Sequence, residues 1–276
     1  MTSQPDRRAQ VRRTFDELAA VYDAVGVDFF GPIAQGLVDA LDLSPGEHVL
    51  DIGCGAGAFL LPASQQVAAA GTAHGIDLSP AMVERARAIA AASGRDNITA
   101  EVDDAQEPAL TGQFDVIGSS LVLFFLPDPA AALVEWRRLL RPGGRLGLAT
   151  FGPRDATVTA LDDLFTPYLP PHLLDARTSG TKGPFATDGA MEDLVTAAGY
   201  GRATTITLDL PVRFRDVDQW VAFSQSTGQS AMWAAAPPEA HAEIRASAEQ
   251  VLAGSPHPEG GSVEYQQVRY TLAARD

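Results

Sequence analysis

The residues best suited to chemistry in this 276-residue sequence form one run, Asp51-Ile52-Gly53-Cys54-Gly55-Ala56-Gly57, in which three glycines alternate behind an acid. A strand that enters such a turn and leaves it as a helix aims backbone N–H groups and a positive helix end at a ligand. The spacing separates this run from other nucleotide sites. A dinucleotide fingerprint needs G-x-G-x-x-G, and a phosphate loop needs Gly-Lys before Ser or Thr; the run has neither. Taken alone, it is also what a tight structural turn would show. Two further acids narrow the reading. Asp77 closes the next strand-like segment, where a carboxylate can accept hydrogen bonds from both hydroxyls of a ribose; the alternative is a surface acid ahead of a helix. Asp104, in Asp103-Asp104-Ala105, follows the third such segment. It can accept from an adenine amino group while the Ala105 N–H meets the ring; the alternative is a solvated loop acid. Asp51 favours an ammonium or sulfonium, and three such acids match a pyrophosphate poorly.

Other reactive types are sparse. Cys54 is the one cysteine, which excludes an internal disulfide and a multi-cysteine zinc site. Its place among glycines is read as a need for a small residue rather than as a nucleophile. His172, in a proline-rich stretch, is the best histidine candidate for a catalytic base, against a plain surface-loop role. His48, His74, His241 and His257 are scattered without metal-binding spacing, so no metal is expected. Phe165, Tyr168, Trp220, Phe223 and Trp233 either cover a flat acceptor or pack a cap.

The elements that must position these residues follow from periodicity. Strands are expected at 48–52, 72–78, 98–102, 114–126 and 145–151, with helices at 58–70, after Ser79-Pro80 and after Asp128-Pro129. Alternation at this spacing implies right-handed β-α-β units and a parallel sheet. Residues 5–22 and 29–41 read as two helices ahead of it. Residues 152–186 read as a loop-rich lid, and 188–198 as a short helix ended by Gly199. Residues 204–214 and 263–273 read as strands able to pair antiparallel at the sheet edge, with helical stretches 216–234 and 238–253 between them. The expected fold is therefore α/β: a Rossmann-like three-layer arrangement with a seven-stranded, mostly parallel sheet whose last strand is antiparallel, plus N-terminal helices and a helical and loop cap. The chain is read as one domain, with an N-terminal cap at 1–42, a cofactor-binding core at 43–153, and lid, cap helices and edge strands at 154–276.

The motifs D-I-G-C-G-A-G, I-D-L-S-P-A-M, D-D-A, F-D-V-I and L-R-P-G-G-R-L, covering 49–151, together resemble the class I S-adenosylmethionine-dependent methyltransferases. The branch most similar is that of the ubiquinone/menaquinone-type and natural-product small-molecule enzymes, whose leading helix resembles residues 15–23. The resemblance implies S-adenosylmethionine as cofactor, with S-adenosylhomocysteine as product. It also implies roles: Gly53 and Gly55 line the methionine moiety, Asp51 supports its ammonium side, and Tyr22 closes over it. Asp77 holds the ribose diol, Leu78 and Met82 pack on the adenine, Asp104 and Ala105 contact its edge, and Ser120 and Leu121 lie beside the sulfonium. Asp103 stands where many relatives have glycine, which leaves open which of the two acids faces the adenine. A histidine found after the fourth strand in many relatives is missing from Leu121-Val122-Leu123-Phe124-Phe125. That apolar mouth suits a hydrophobic or already nucleophilic acceptor, or is core packing.

The expected reaction is methyl transfer to an O, N or C atom of a small biosynthetic intermediate. The alternatives are a cyclase or other non-methylating enzyme using the cofactor electrostatically, a non-catalytic binding subunit, and a nicotinamide oxidoreductase, the last disfavoured by the glycine spacing. Thirty-five acidic against 20 basic residues, a net charge of −15, argue against nucleic acid. The absence of a signal-like start or of about 18 consecutive apolar residues argues for a cytoplasmic chain without a membrane span, monomeric or homodimeric.

Overall fold

Val49, Leu50 and Ile52 are buried completely, as a strand covered on both faces requires. They belong to β1 (His48–Ile52), the third strand of a seven-stranded sheet. The computed structural model describes residues 4–170 and 182–276. The other strands are β2 (Thr72–Asp77), β3 (Ile98–Val102), β4 (Phe114–Ser120), β5 (Leu140–Arg154), β6 (Thr204–Phe214) and β7 (Ser262–Ala274), in the order β3-β2-β1-β4-β5-β7-β6. β1 to β5 pair parallel with their neighbours; β7 lies antiparallel between β5 and β6. The strand order reverses between β1 and β4, and a crevice opens at such a switch point outside the carboxyl ends of the strands.

Ten helices among the described residues complete the chain: α1 (Gln4–Leu18), α2 (Phe30–Leu41), α3 (Leu60–Gln66), α4 (Pro80–Ala92), α5 (Pro129–Leu139), α6 (Ala156–Asp163), α7 (Asp188–Ala197), α8 (Val217–Gln225), α9 (Ser230–Ala235) and α10 (His241–Ala253). Their starts follow local chemistry. Ser79 caps α4 by accepting the Met82 N–H at 3.1 Å, and Asp128 caps α5 through the Ala131 N–H at 3.0 Å; a proline opens each helix. Ala132, Leu133, Trp136 and Leu139 form the buried stripe of α5. Each large side chain of that stripe contributes roughly 1.5–3 kcal/mol by burial.

Several expectations need correction. β4 stops at Ser120, and the apolar run after it turns through a short 3-10 segment, Leu123–Phe125. The helix expected at 58–70 is the shorter α3. α1 ends at Leu18, so Tyr22 lies in the turn that follows, ahead of Asp23 at φ +54°. Residues 152–163 are not loop: β5 continues to Arg154, and Asp155 caps α6 through the Val158 N–H. The single stretch expected at 216–234 is two helices, broken at 226–229 around Thr227-Gly228.

One buried cation ties the far edge together. Arg269 of β7 pairs with Asp188 at 2.6 Å and donates to the carbonyls of Phe151, Phe185 and Ala186. It thereby fixes the end of β5 against the start of α7.

Candidate cofactor and acceptor site

Asp51 is 1% exposed, and its register partners on both sides are glycines, Gly75 of β2 and Gly118 of β4. A side-chain atom added at Gly118 would meet the Phe59 ring, and one at Gly75 would meet Cys54. The small residues thus let the loop after β1 fold down onto the sheet. Cys54 accordingly packs as a small buried residue, and burial raises its thiol pKa far above the usual range. Gly53 turns at φ +74°, where a side chain would also strike Val122.

The loop lines two adjoining cavities. One, of about 270 Å³, touches Tyr22, Asp51, Gly53, Gly55 and Ser120. The other, of about 320 Å³, touches Tyr22, Gly53, Gly55, Asp77, Leu78, Met82, Asp104, Ala105, Ser120 and Leu121. All eleven residues expected to bind cofactor therefore line one or other of two cavities that share Tyr22, Gly53, Gly55 and Ser120. His172 lies outside the described residues.

The electrostatics are those of a cation site. Asp51 Oδ2 is buried and finds no hydrogen-bond partner among the described residues. Burial first, then the charge of Asp77, pushes the Asp51 pKa well above the carboxylate range. An ammonium or sulfonium alongside would reverse that shift and pair the orphaned oxygen. Asp77 is raised by burial too, offset in part by N–H groups of Ser79 and Gly55 at 2.8 and 2.9 Å that fix its carboxylate. Burial also raises the Tyr22 phenol, with Asp23 and Asp77 adding to it; its ring stacks on Phe30 at 4.4 Å.

The two neighbouring acids have different tasks. Asp103 accepts the Asp104 and Ala109 N–H groups and closes its own loop. Asp104 faces the cavity, bonded to the Gln106 N–H and paired with Arg8 of α1 at 2.9 Å. Ala105 is held by its carbonyl, which accepts from Trp136 Nε1 at 2.7 Å, and Gln106 is clamped to both backbone groups of Asp128. α1 covers this end. Its Asp16 accepts from Ser79 Oγ at 2.6 Å, and Arg85 donates to the Ala19 carbonyl just beyond α1. Leu121 turns at φ +61°, a conformation costing about 1–2 kcal/mol, while its N–H is tied to the Ala149 carbonyl.

Beyond Leu121 the larger cavity becomes aromatic. Phe29, Phe124, Phe151 and Phe223 line it, with Phe124 and Phe151 stacked at 5.4 Å and Phe29 against Phe223 at 5.2 Å. Of the five aromatics considered for an acceptor, Phe223 alone reaches this wall. Phe165, Trp220 and Trp233 are instead packed on one another in the cap. The far wall is polar: Arg154, Asp162, Thr227, Gln229, Glu264 and Gln266. Sequence reasoning missed this wall and Phe29; an acid at 264 inside a strand that is otherwise largely buried was the one available signal.

No group of three or more potential metal-ligating side chains gathers among the described residues. No described helix is long and apolar enough to cross a membrane.

Known proteins give this geometry a family. A family model described as a methyltransferase domain matches residues 43–178. Nocamycin O-methyltransferase from Saccharothrix syringae is 35% identical over 90% of this chain and 92% of its own. Aklanonic acid methyltransferase from a Streptomyces species (strain C5) is 41% identical over 61% of this chain and 77% of its own. Among solved structures, phosphoethanolamine N-methyltransferase 2 of Haemonchus contortus, in complex with S-adenosyl-L-methionine, shares the fold. Its TM-score is 0.62 at 16% identity, over all of this chain and 60% of that one. The alternating glycines, the acids that follow on successive strands and these likenesses agree: the chain belongs to the S-adenosylmethionine-dependent methyltransferases.

Proposed function

We propose that this enzyme transfers the methyl group to an oxygen, already ionised at neutral pH, on an elongated and largely apolar intermediate of natural-product biosynthesis. A carboxylate is the acceptor group that fits best. One observation carries the reading: the cavity runs from the glycine loop into an aromatic chamber, and no described histidine lines it. Tyr22, the phenol nearest the loop, is shifted away from ionisation. An acceptor hydroxyl would need a base, whereas a carboxylate arrives without its proton. The names of the two relatives, an O-methyltransferase and a methyltransferase of an acid, support the same choice.

S-adenosylmethionine supplies an electrophilic methyl carbon on a positively charged sulfur. In this reading Gly53 and Gly55 line its methionine end, Asp51 takes the ammonium side, and Tyr22 closes over it. Asp77 holds the ribose hydroxyls, Leu78 and Met82 pack on the adenine, and Asp104 and Ala105 meet its edge. Ser120 and Leu121 lie beside the sulfonium. The protein's own contribution is alignment and dryness. Phe29, Phe124, Phe151 and Phe223 hold a flat acceptor and exclude water, and well-aligned reactants gain up to roughly 7–11 kcal/mol.

The test compares an aromatic polycyclic carboxylic acid with its primary amide. The acid should be methylated with release of S-adenosylhomocysteine and the amide should not. Methylation of the amide nitrogen, or of a ring carbon in both, would overturn the assignment. Consumption of an acceptor without S-adenosylhomocysteine would favour a cyclase-type reaction.

A further inference from the structure

Glu264 is a buried carboxyl group with no hydrogen bond to any described residue, yet it faces the larger cavity. We propose that Glu264 recognises a carbonyl or hydroxyl oxygen at the end of the acceptor opposite the methylated one, so that the preferred acceptors are polycyclic and oxygenated at both ends. The inference rests on the reading of the aromatic chamber as the acceptor site.

Strand register sets the distance. Ser120 pairs with Ala149, and Ala149 with Tyr270. From Tyr270 to Glu264 is six residues along β7, or about 20 Å of strand at about 3.3 Å per residue. Glu264 is moreover two strands away from β4. A glutamate side chain cannot reach from there to an atom beside Ser120, so Glu264 is not a base for the methylated oxygen. A rigid core of three or four fused rings between Phe29, Phe124, Phe151 and Phe223 covers part of the interval, and its two terminal groups together with the extended Glu264 side chain cover the rest.

The surroundings decide which hydrogen bond Glu264 makes. Asp162 of α6 is paired with Arg154 at 3.0 Å and accepts from Gln229 Nε2 at 2.9 Å. Asp155 caps α6 and accepts the Tyr265 N–H at 2.8 Å. Both carboxylates act on Glu264, and Arg154, which lines the same cavity, is engaged by Asp162. Burial, with Asp155 and Asp162 adding to it, pushes the Glu264 pKa up to about 8. At neutral pH the group therefore carries its proton and donates to an oxygen acceptor such as a ketone.

Two probes test this on the complete protein saturated with S-adenosylhomocysteine, which needs no turnover. One is an anthracene carboxylate bearing an acetyl group on the far ring; the other bears isopropyl there, matched in shape. Calorimetry should give the ketone roughly two- to tenfold tighter binding, the range one neutral hydrogen bond contributes. Glu264→Gln, which keeps an N–H donor, should retain the preference, and Glu264→Leu should erase it. In the wild type the preference should vanish as pH rises above about 8, because the carboxyl loses its donor proton; in Glu264→Gln it should persist. The inference is overturned if Glu264→Leu keeps the preference, if Glu264→Gln loses it, or if the wild type has none, including by failing to bind either probe. Failure of the acid-versus-amide test with the ketone preference intact would remove the proposed reactive oxygen and leave Glu264 standing.

Discussion

Replacing Asp51 with Asn should weaken cofactor binding while making the ligand-free protein more stable. Both effects follow from one buried oxygen. Asp51 Oδ2 has no hydrogen-bond partner among the described residues, and the charge that acts on it, Asp77, is of like sign. The cofactor's ammonium would supply the missing bond, and a hydrogen bond to a charged group contributes about 1.5–3 kcal/mol. Losing it should raise the dissociation constant of S-adenosylmethionine roughly 10- to 150-fold. Without ligand the sign reverses. The Asp51 pKa is higher folded than unfolded, so above the usual carboxylate value the native state holds a proton that the unfolded chain has released. Wild-type stability therefore falls as pH rises through that window, a slope the Asn variant lacks at this site. Calorimetry at pH 6 and 8 reads the binding: wild-type affinity should climb with pH, because a cation favours ionised Asp51, and the variant should climb less. Thermal unfolding without ligand, from pH 5 to 7, should show the variant gaining on the wild type. Affinity within twofold of wild type, or an unchanged pH slope in both assays, would refute the reasoning.

Three further outcomes follow from other parts of the structure. Asp77→Ala removes the acceptor of the Gly55 and Ser79 N–H groups and should weaken S-adenosylhomocysteine binding by about tenfold or more in calorimetry; unchanged affinity would remove Asp77 from the ribose. Gly53→Ala places a side chain at φ +74° against Val122 and should both lower the melting temperature and abolish cofactor binding. Adding Val122→Ala should recover part of the stability, with about 1 kcal/mol of backbone strain remaining. Arg269→Met leaves three carbonyls and Asp188 without their cation and should cost about 3 kcal/mol in urea unfolding; a loss below about 1 kcal/mol would contradict the anchoring role.

The parts of the fold that were legible beforehand are those written in local chemistry. Ser79-Pro80 and Asp128-Pro129 announce helix starts because a cap and a fixed φ act within one turn. The Asp51–Gly57 run, Asp77 and Asp104 stand out in sequence because each lies at or just past the carboxyl end of a strand, and parallel strands bring such positions to one edge. Residues 152–163 read as loop in sequence because the prolines at 167, 170 and 171 dominate the segment. Asp155 with Val158 and Leu161 nevertheless carries the helix signal, a cap followed by apolar residues at helical spacing. The far wall was illegible for a different reason. Arg154, Asp162, Gln229 and Glu264 come from separated segments of the chain, and only the antiparallel insertion of β7 beside β5 brings them together. The same holds for the aromatics: in sequence Trp220 and Trp233 suit an acceptor cover or a packed cap equally, and packing places them in the cap and leaves Phe223 on the cavity.

Methyl transfer to an ionised carboxylate oxygen yields a methyl ester. The most direct test of that transfer incubates the enzyme with methyl-labelled S-adenosylmethionine and aklanonic acid, the compound for which the Streptomyces relative is named. Product mass, S-adenosylhomocysteine yield and release of label by alkali are then read together. One S-adenosylhomocysteine should form per methylated acceptor, and alkali should liberate the label as methanol, as from an ester. Label that survives alkali on nitrogen or carbon, or acceptor consumed with no S-adenosylhomocysteine formed, would contradict it.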